Sequence, residues 1–179
     1  ISQTFSKDLI GEKILKISRR SKYLIFHFKK KFLLIHLGMT GKLLLMKSKD
    51  KTILKTSFYY HSIPNSKHNH IYFKFNNGFV LIYNDVRRFG FLKLYKNTIP
   101  NKISFINKLG IEPLTYKFNS EYFEKFSQNR KKNIKNLLMD QTFTSGLGNI
   151  YVNEALFISK IKPTRMCGSL KKNEIKKLI

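Results

Sequence analysis

The stretch DQTFTSGLGNIYVNEALFISKIKPTR, Asp140–Arg165, decides the reading of this chain. Ile134 to Met139 ahead of it has the spacing of a helix's last turns, and Thr144-Ser145-Gly146-Leu147-Gly148 is a glycine-punctuated turn. Asn149 is then expected to be the N-cap of a second helix running to Pro163. A helix that starts after such a turn offers unpaired N–H groups and the positive end of its dipole, a setting suited to a phosphate. Two packed helices joined by an ordinary turn would give the same pattern, so the rest of the chain has to decide between them.

Working outward, periodicity in the second half is helical: short helices are expected around Ile103–Lys108, Glu121–Phe126, Lys131–Met139, Asn149–Ser159 and Leu170–Leu178. The first half reads as strands. Lys13–Ile17, Tyr23–Phe28, Phe32–Leu37, Lys42–Met46, Ile71–Phe75, Phe79–Tyr83 and Phe91–Tyr95 are short apolar or alternating runs, with Lys47–His70 mostly loop. Asn77-Gly78 predicts a two-residue type I′ turn. The class is therefore α+β: an antiparallel β domain over residues 1–97, a linker over 98–112 punctuated by Pro100 and Gly110, and an all-α domain over 113–179.

The 179 residues carry 35 Lys and Arg against 10 Asp and Glu, a formal charge of +25, which makes a polyanion the expected partner. Part of the lysine excess is what an AT-rich genome imposes whatever the function. Cys167 stands alone, so neither a disulfide framework nor a cysteine zinc site is expected within these residues. No apolar run is long enough to span a membrane. The acidic residues are too scattered for a carboxylate metal site, and no Ser–His–Asp spacing suggests a hydrolytic triad. His68 and His70 would share a strand face but lack a third ligand.

Four clusters remain. Arg19-Arg20-Ser21-Lys22-Tyr23 puts basic residues ahead of a strand, where a solvated edge is the plain alternative. Met39 sits on the glycine turn His36–Gly41, an odd place to hide a core methionine. In Asp85–Gly90, Phe89 and two guanidiniums share a hairpin end, a chemistry that can wedge between bases and read an edge. Arg130-Lys131-Lys132 and Lys135 precede the opening stretch. Composition and spacing alone reach a two-domain nucleic-acid binder and no reaction.

Taken in order, RRSKYL (Arg19–Leu24), HLGMTG (His36–Gly41), KHNH (Lys67–His70), NDVRRFG (Asn84–Gly90), LGIEPL (Leu109–Leu114) and IKNLLMDQ through GLGNIYVNEALF (Ile134–Phe157) resemble the bacterial formamidopyrimidine-DNA glycosylase family, enzymes that remove oxidised purines such as 8-oxoguanine. The resemblance implies a β-sandwich, then a helix–two-turn–helix domain, then a four-cysteine zinc finger. It implies that Met39, Arg87 and Phe89 fill the space a flipped base vacates, with Phe89 as wedge and Arg87 facing the orphaned base. Lys22 is implied in proton transfer during β-elimination, His68, Arg130 and Asn149 in phosphate contacts, and Lys135 near the lesion; Arg130 stands where the family commonly has Lys.

The implied nucleophile is an N-terminal proline amine followed by an acidic residue, and neither precedes Ile1. The chain therefore reads as a fragment that binds DNA without excising bases, with the one implied zinc ion belonging to the finger beyond Ile179 and no cofactor within. The implied whole is a monomeric, cytoplasmic, nucleoid-associated glycosylase and lyase acting on double-stranded DNA with oxidised bases or abasic sites. Alternatives are the sister group acting on oxidised pyrimidines, a non-catalytic or decayed DNA-binding protein, and a ribosomal-type RNA binder, which would leave the wedge-like hairpin end unexplained.

Overall fold

The computed structural model describes residues 4–47, 49, 52–54, 65–128 and 130–179. Two compact units emerge: one of residues 1–18 and 23–97, the other of Arg19–Lys22 and Thr98–Ile179.

The first unit carries strands β1 (Lys16–Arg20, whose last two residues cluster with the second unit), β2 (Tyr23–His27), β3 (Lys31–His36), β4 (Lys42–Lys47), β5 (Ile53–Leu54), β6 (Asn69–Lys74), β7 (Phe79–Asn84) and β8 (Phe91–Lys96). They form two four-stranded sheets, ordered β1-β2-β3-β8 and β5-β4-β7-β6. The apolar runs split by Lys29–Lys31 pair as the expected antiparallel hairpin, Leu24 opposite Ile35 and Phe26 opposite Leu33. Period-two alternation sends Phe26, Leu33 and Ile35 to the inner face, where they meet Leu43, Phe73 and Leu81 from the other sheet. Each such side chain contributes about 1.5–3 kcal/mol when fully buried, and Leu33 and Ile35 are.

Three strand-level expectations change. The first strand lies at Lys16–Arg20, not Lys13–Ile17. The stretch Lys47–His70 contributes β5, paired with β4 through Leu45–Leu54 and Met46–Ile53, while residues 48, 50, 51 and 55–64 of that stretch lie outside the described residues. At Asn77-Gly78 a type I′ turn needs positive φ at both residues, and only Gly78 has it, at 80°. Gly78 N–H instead donates to Phe75 O at 3.3 Å and Phe75 N–H to Phe79 O at 2.9 Å, a three-residue loop closed by a glycine bulge.

The second unit carries α1 (Ser104–Asn107), α2 (Ser120–Ser127), α3 (Ile134–Met139), α4 (Asn149–Ile158) and α5 (Lys172–Leu178). Its core is built on Phe143, from the turn between α3 and α4. Tyr122 stacks on Phe143 at 5.4 Å, Phe123 meets it edge-on at 5.4 Å, and Leu137, Val152 and Leu156 complete the layer. Asn119 and Asn133 cap α2 and α3 by accepting from the N–H groups of Tyr122 and Asn136.

Helix α4 departs from expectation at both ends. Its N-cap is Gly148, with no side-chain cap hydrogen bond, so Asn149 is the first helical residue. It stops at Ile158, not Pro163, because Lys160 adopts φ 58° and the chain closes a Schellman motif, with Lys160 N–H donating to Phe157 O and Ile161 N–H to Leu156 O. Ile161, buried against the core, is the apolar residue that such a terminus sets inward.

Candidate nucleic-acid interface

In the β unit, two glycine-bearing loops are clasped side by side. A Cβ on Gly38 would lie 2.7 Å from both Gly90 N and Phe89 C, so the Gly38–Gly41 turn touches the 86–90 turn backbone to backbone. Gly38 also sits at φ 62°, which a side chain would disfavour. This contact brings together three residues far apart in sequence. Arg87 Nη1 lies 3.5 Å from Met39 Sδ, and the Arg87 guanidinium stands 4.4 Å over the Phe89 ring. Met39 and Phe89 are 74% and 57% exposed, so the group is an apolar-cationic tip in solvent and not core. Arg88 between them holds φ 57°, a conformation costly for a β-carbon-bearing residue and one that composition did not flag.

Behind the tip lies Asp85, fully buried. Its Oδ1 accepts from Thr40 Oγ1 at 2.5 Å and Arg87 N–H at 3.3 Å, and its Oδ2 from Tyr83 OH at 2.8 Å and Gly90 N–H at 2.9 Å. Burial works to raise its pKa, but these donors win and hold the carboxyl at about 2. The Tyr83 phenol moves up, through burial and the Asp85 carboxylate. His68 ends a 3₁₀ turn, Ser66–His68, and so does not share a strand face with His70. His70 Nε2–H donates to Asp85 O at 2.8 Å, which engages it in the backbone.

In the helical unit the Arg19–Lys22 turn is not the solvated edge that a charge run suggests. Arg20 donates to the carbonyls of Leu109 and Gly110 at 2.8 Å each, to Ser145 Oγ at 3.1 Å and to Glu112 at 3.3 Å. Glu112 also takes Arg19 Nη2 at 2.6 Å and Ser21 N–H at 2.7 Å. Burial would raise the Glu112 pKa, and these donors bring it below the ordinary value. Ser21, buried at φ 55°, is held in its left-handed conformation by that carboxylate, and Lys22 follows it.

Lys22 comes close to the first turn of α4: a Cβ on Gly148 would lie 3.1 Å from Lys22 Nζ. Partial desolvation lowers the Lys22 pKa, which favours release of its proton relative to a free lysine. Gln141 fixes the turn from beneath, accepting from Gly146 N–H at 2.9 Å and donating to Leu147 O at 3.0 Å. An ammonium, helical N–H groups with no side-chain cap and the exposed Asn149 thus meet at one corner, a combination whose chemistry suits an anion.

Arg130 is exposed, its guanidinium 4.0 Å over the Phe126 ring, and Lys135 sits half-buried on α3. Among the described residues no three His, Cys, Asp or Glu side chains are grouped to hold a metal ion. Cys167 is buried with Sγ 3.6 Å from Arg130 O and 3.7 Å from Ser127 O, so the residues present do not fit a zinc site.

Comparison with known proteins decides the family. The formamidopyrimidine-DNA glycosylase N-terminal domain profile matches residues 1–92, and the H2TH domain profile of the same glycosylase matches 109–179. The chain belongs to the formamidopyrimidine-DNA glycosylase family. The Bartonella tribocorum formamidopyrimidine-DNA glycosylase is 43% identical over 170 residues, covering 91% of this chain and 56% of the relative. That of Lactobacillus gasseri is 40% identical over 179 residues, covering 97% and 59%. Among solved structures, Lactococcus lactis Fpg bound to DNA containing an abasic site superposes with a TM-score of 0.81 at 36% identity, over 98% of this chain and 61% of that one. The same protein has been crystallised with DNA carrying Fapy-dG and with DNA carrying an oxidised pyrimidine. The chain thus spans somewhat under two thirds of the length of these family members.

Proposed function

We propose that the protein carrying these residues is a base-excision-repair glycosylase and lyase that removes oxidised purines from duplex DNA in the bacterial cytoplasm and then nicks the strand. The observation that carries the reading is the Met39–Arg87–Phe89 tip: an exposed apolar pair with a guanidinium laid across it, on a glycine-clasped hairpin end. Inserted into a duplex, Phe89 unstacks a step while Met39 and Arg87 occupy the void, offsetting the few kcal/mol that flipping a base costs. Arg87 then faces the widowed partner base with its donors.

The corner of Lys22, Gly148 and Asn149 supports the second half of the reading, since it suits a backbone phosphate next to a proton carrier. In the proposed chemistry a proline amine bonds to C1′ as the glycosidic bond breaks and the base leaves with a proton; the amine gives up its own proton, and the C1′–O4′ bond opens, with O4′ taking a proton, to leave a Schiff base. Loss of a C2′ proton then expels the 3′ phosphate, and a second elimination expels the 5′ phosphate. Lys22 is the residue proposed to move a proton in those eliminations; His68, Arg130 and Asn149 hold phosphates and Lys135 lies near the lesion. The structural zinc is proposed to lie outside these residues. The large positive charge and the lack of a helix long and apolar enough to cross a membrane among the described residues agree with a DNA-bound enzyme.

Borohydride trapping of the whole gene product on a duplex with 8-oxoguanine opposite cytosine tests the reading. A covalent protein–DNA complex is expected; tight, salt-sensitive binding with no trapped complex would overturn the enzymatic half. The oxidised-pyrimidine complex of the Lactococcus lactis relative favours a second, broader substrate range. Excision of thymine glycol at a rate comparable to 8-oxoguanine would establish that breadth.

A further inference from the structure

We propose that Asp85 is the positioning residue of the DNA-inserting tip: its buried carboxylate locks the loops carrying Met39, Arg87 and Phe89 into a single register, and its backbone N–H ties the His68 turn to them. The inference rests on the insertion reading above. Asp85 contacts none of the side-chain atoms proposed to enter the duplex, and it is bonded to both loops that carry them.

Three loops converge on this residue. The Met39 turn is reached through Thr40 Oγ1, which donates to Oδ1 at 2.5 Å. The 86–90 turn is reached twice, through Arg87 N–H to Oδ1 at 3.3 Å and Gly90 N–H to Oδ2 at 2.9 Å, so the two peptide groups that bracket Arg87, Arg88 and Phe89 are both fixed. The third is the His68 turn, where Asp85 N–H donates to His68 O at 3.0 Å. Tyr83 OH at 2.8 Å and His70 Nε2–H at 2.8 Å complete the hub from the strands on either side. A loop pair exposed to solvent has little apolar contact to order it, and Arg88 adds backbone strain that must be held from elsewhere. The buried hub supplies that hold before DNA arrives, which is the preorganisation a wedge needs, since ordering the loops on binding would weaken binding.

Replacement by asparagine exposes the logic. Asn offers one acceptor oxygen and one NH₂ donor, and four donors converge on the two Asp85 oxygens. A hydroxyl can rotate and accept from the NH₂; a backbone N–H cannot. With the NH₂ toward Gly90, Gly90 N–H loses its acceptor; with it toward Arg87, Arg87 N–H keeps only Thr40 Oγ1, at 3.2 Å, so in either case the 86–90 turn is held more weakly at one end.

The experiment measures binding of the whole gene product and its variants to a duplex with a non-cleavable abasic analogue and to the same duplex intact, and reads the ratio of the two affinities. Wild type is expected to prefer the abasic analogue. Asp85→Asn is expected to cut that preference at least tenfold, and Thr40→Val, which removes one donor to Asp85 and with it the second acceptor of Arg87 N–H, by about threefold or more. Thr40→Ser keeps the hydroxyl and is expected to restore the ratio, which a change in packing alone would not. A folded Asp85→Asn with the wild-type ratio overturns the proposal. If Asp85→Asn does not fold, the Thr40 pair decides: equal ratios for Thr40→Val and Thr40→Ser overturn it, and a loss confined to Val supports it. A wild type without preference overturns instead the insertion reading on which the proposal rests.

Discussion

Removing the Glu112 carboxylate by Glu112→Ala tests whether the Arg19–Lys22 turn is held by design or by chance. Its three donors do not count equally. Arg19 is more than half exposed, so that pair contributes about 0.5 kcal/mol or less. Arg20 keeps Leu109 O, Gly110 O and Ser145 Oγ after the change and loses little. Ser21 N–H is the larger item: it is on a buried residue, and loss of its acceptor costs about 1–3 kcal/mol. The left-handed backbone at Ser21 costs about 1–2 kcal/mol in wild type and variant alike, so it does not enter the difference. A total near 2–3 kcal/mol lowers Tm by about 4–12 °C for a chain of this size. Burial pushes the Glu112 pKa up and its three donors pull it further down, so the folded value is depressed. Its stabilisation is then complete above the unfolded value of about 4.3 and lost as pH falls through the folded one. Thermal melts followed by circular dichroism at pH 7 and at steps below pH 4 should show the gap between wild type and Glu112→Ala narrowing as pH drops. A gap that is absent at pH 7, or that keeps its size down to pH 2.5, would refute the account.

Phe89→Ala should weaken binding to abasic duplex by about tenfold or more and to intact duplex by much less, measured by fluorescence anisotropy; equal losses would make Phe89 a packing residue. Gly110→Ala should prevent folding of the helical unit or lower its Tm by more than about 5 °C, because the new Cβ would lie 2.2 Å from Phe143 O and 2.5 Å from Thr142 O; a normal melt would refute that crowding. Affinity for intact duplex should fall roughly a thousandfold between low and moderate salt if six or more phosphates are neutralised, and a flat response would mark the charge as compositional.

What the sequence made legible was local. Alternation and the Lys29–Lys31 break placed the β2–β3 hairpin in register, and the glycine turn before α4 located the helix start to within one residue. Met39, Arg87 and Phe89 were visible as odd residues on turns, and the fold brings them together. The supports were not legible, because they act across the chain. Asp85 is 45 residues from Thr40, and Glu112 is 91 from Ser21, so neither carries a periodic or spacing signal. Asp85 and Glu112 therefore looked like two of ten scattered acids. The positive φ at Ser21 and Arg88 was hidden for a related reason: neither residue type favours it, and only the bonds around it make it tolerable.

The charge divides along the same line. Of the six arginines, Arg19 and Arg20 are bonded to Glu112 and Arg165 to Glu174, so half of them are framework cations with carboxylate partners. A guanidinium suits that role because its planar fork can serve several acceptors at once, as Arg20 does with four. Arg87 and Arg130 instead lie over Phe89 and Phe126, where an aromatic face orients the cation without neutralising it. A cation so placed keeps its donors for a phosphate or a base edge while its direction is already set. Among the arginines, what separates the framework cations from those proposed to meet DNA is thus whether the guanidinium meets a carboxylate or an aromatic ring within its own unit. Arg87 and Arg130 therefore suit the DNA contacts proposed for them, and Arg19, Arg20 and Arg165 belong to the framework of their unit.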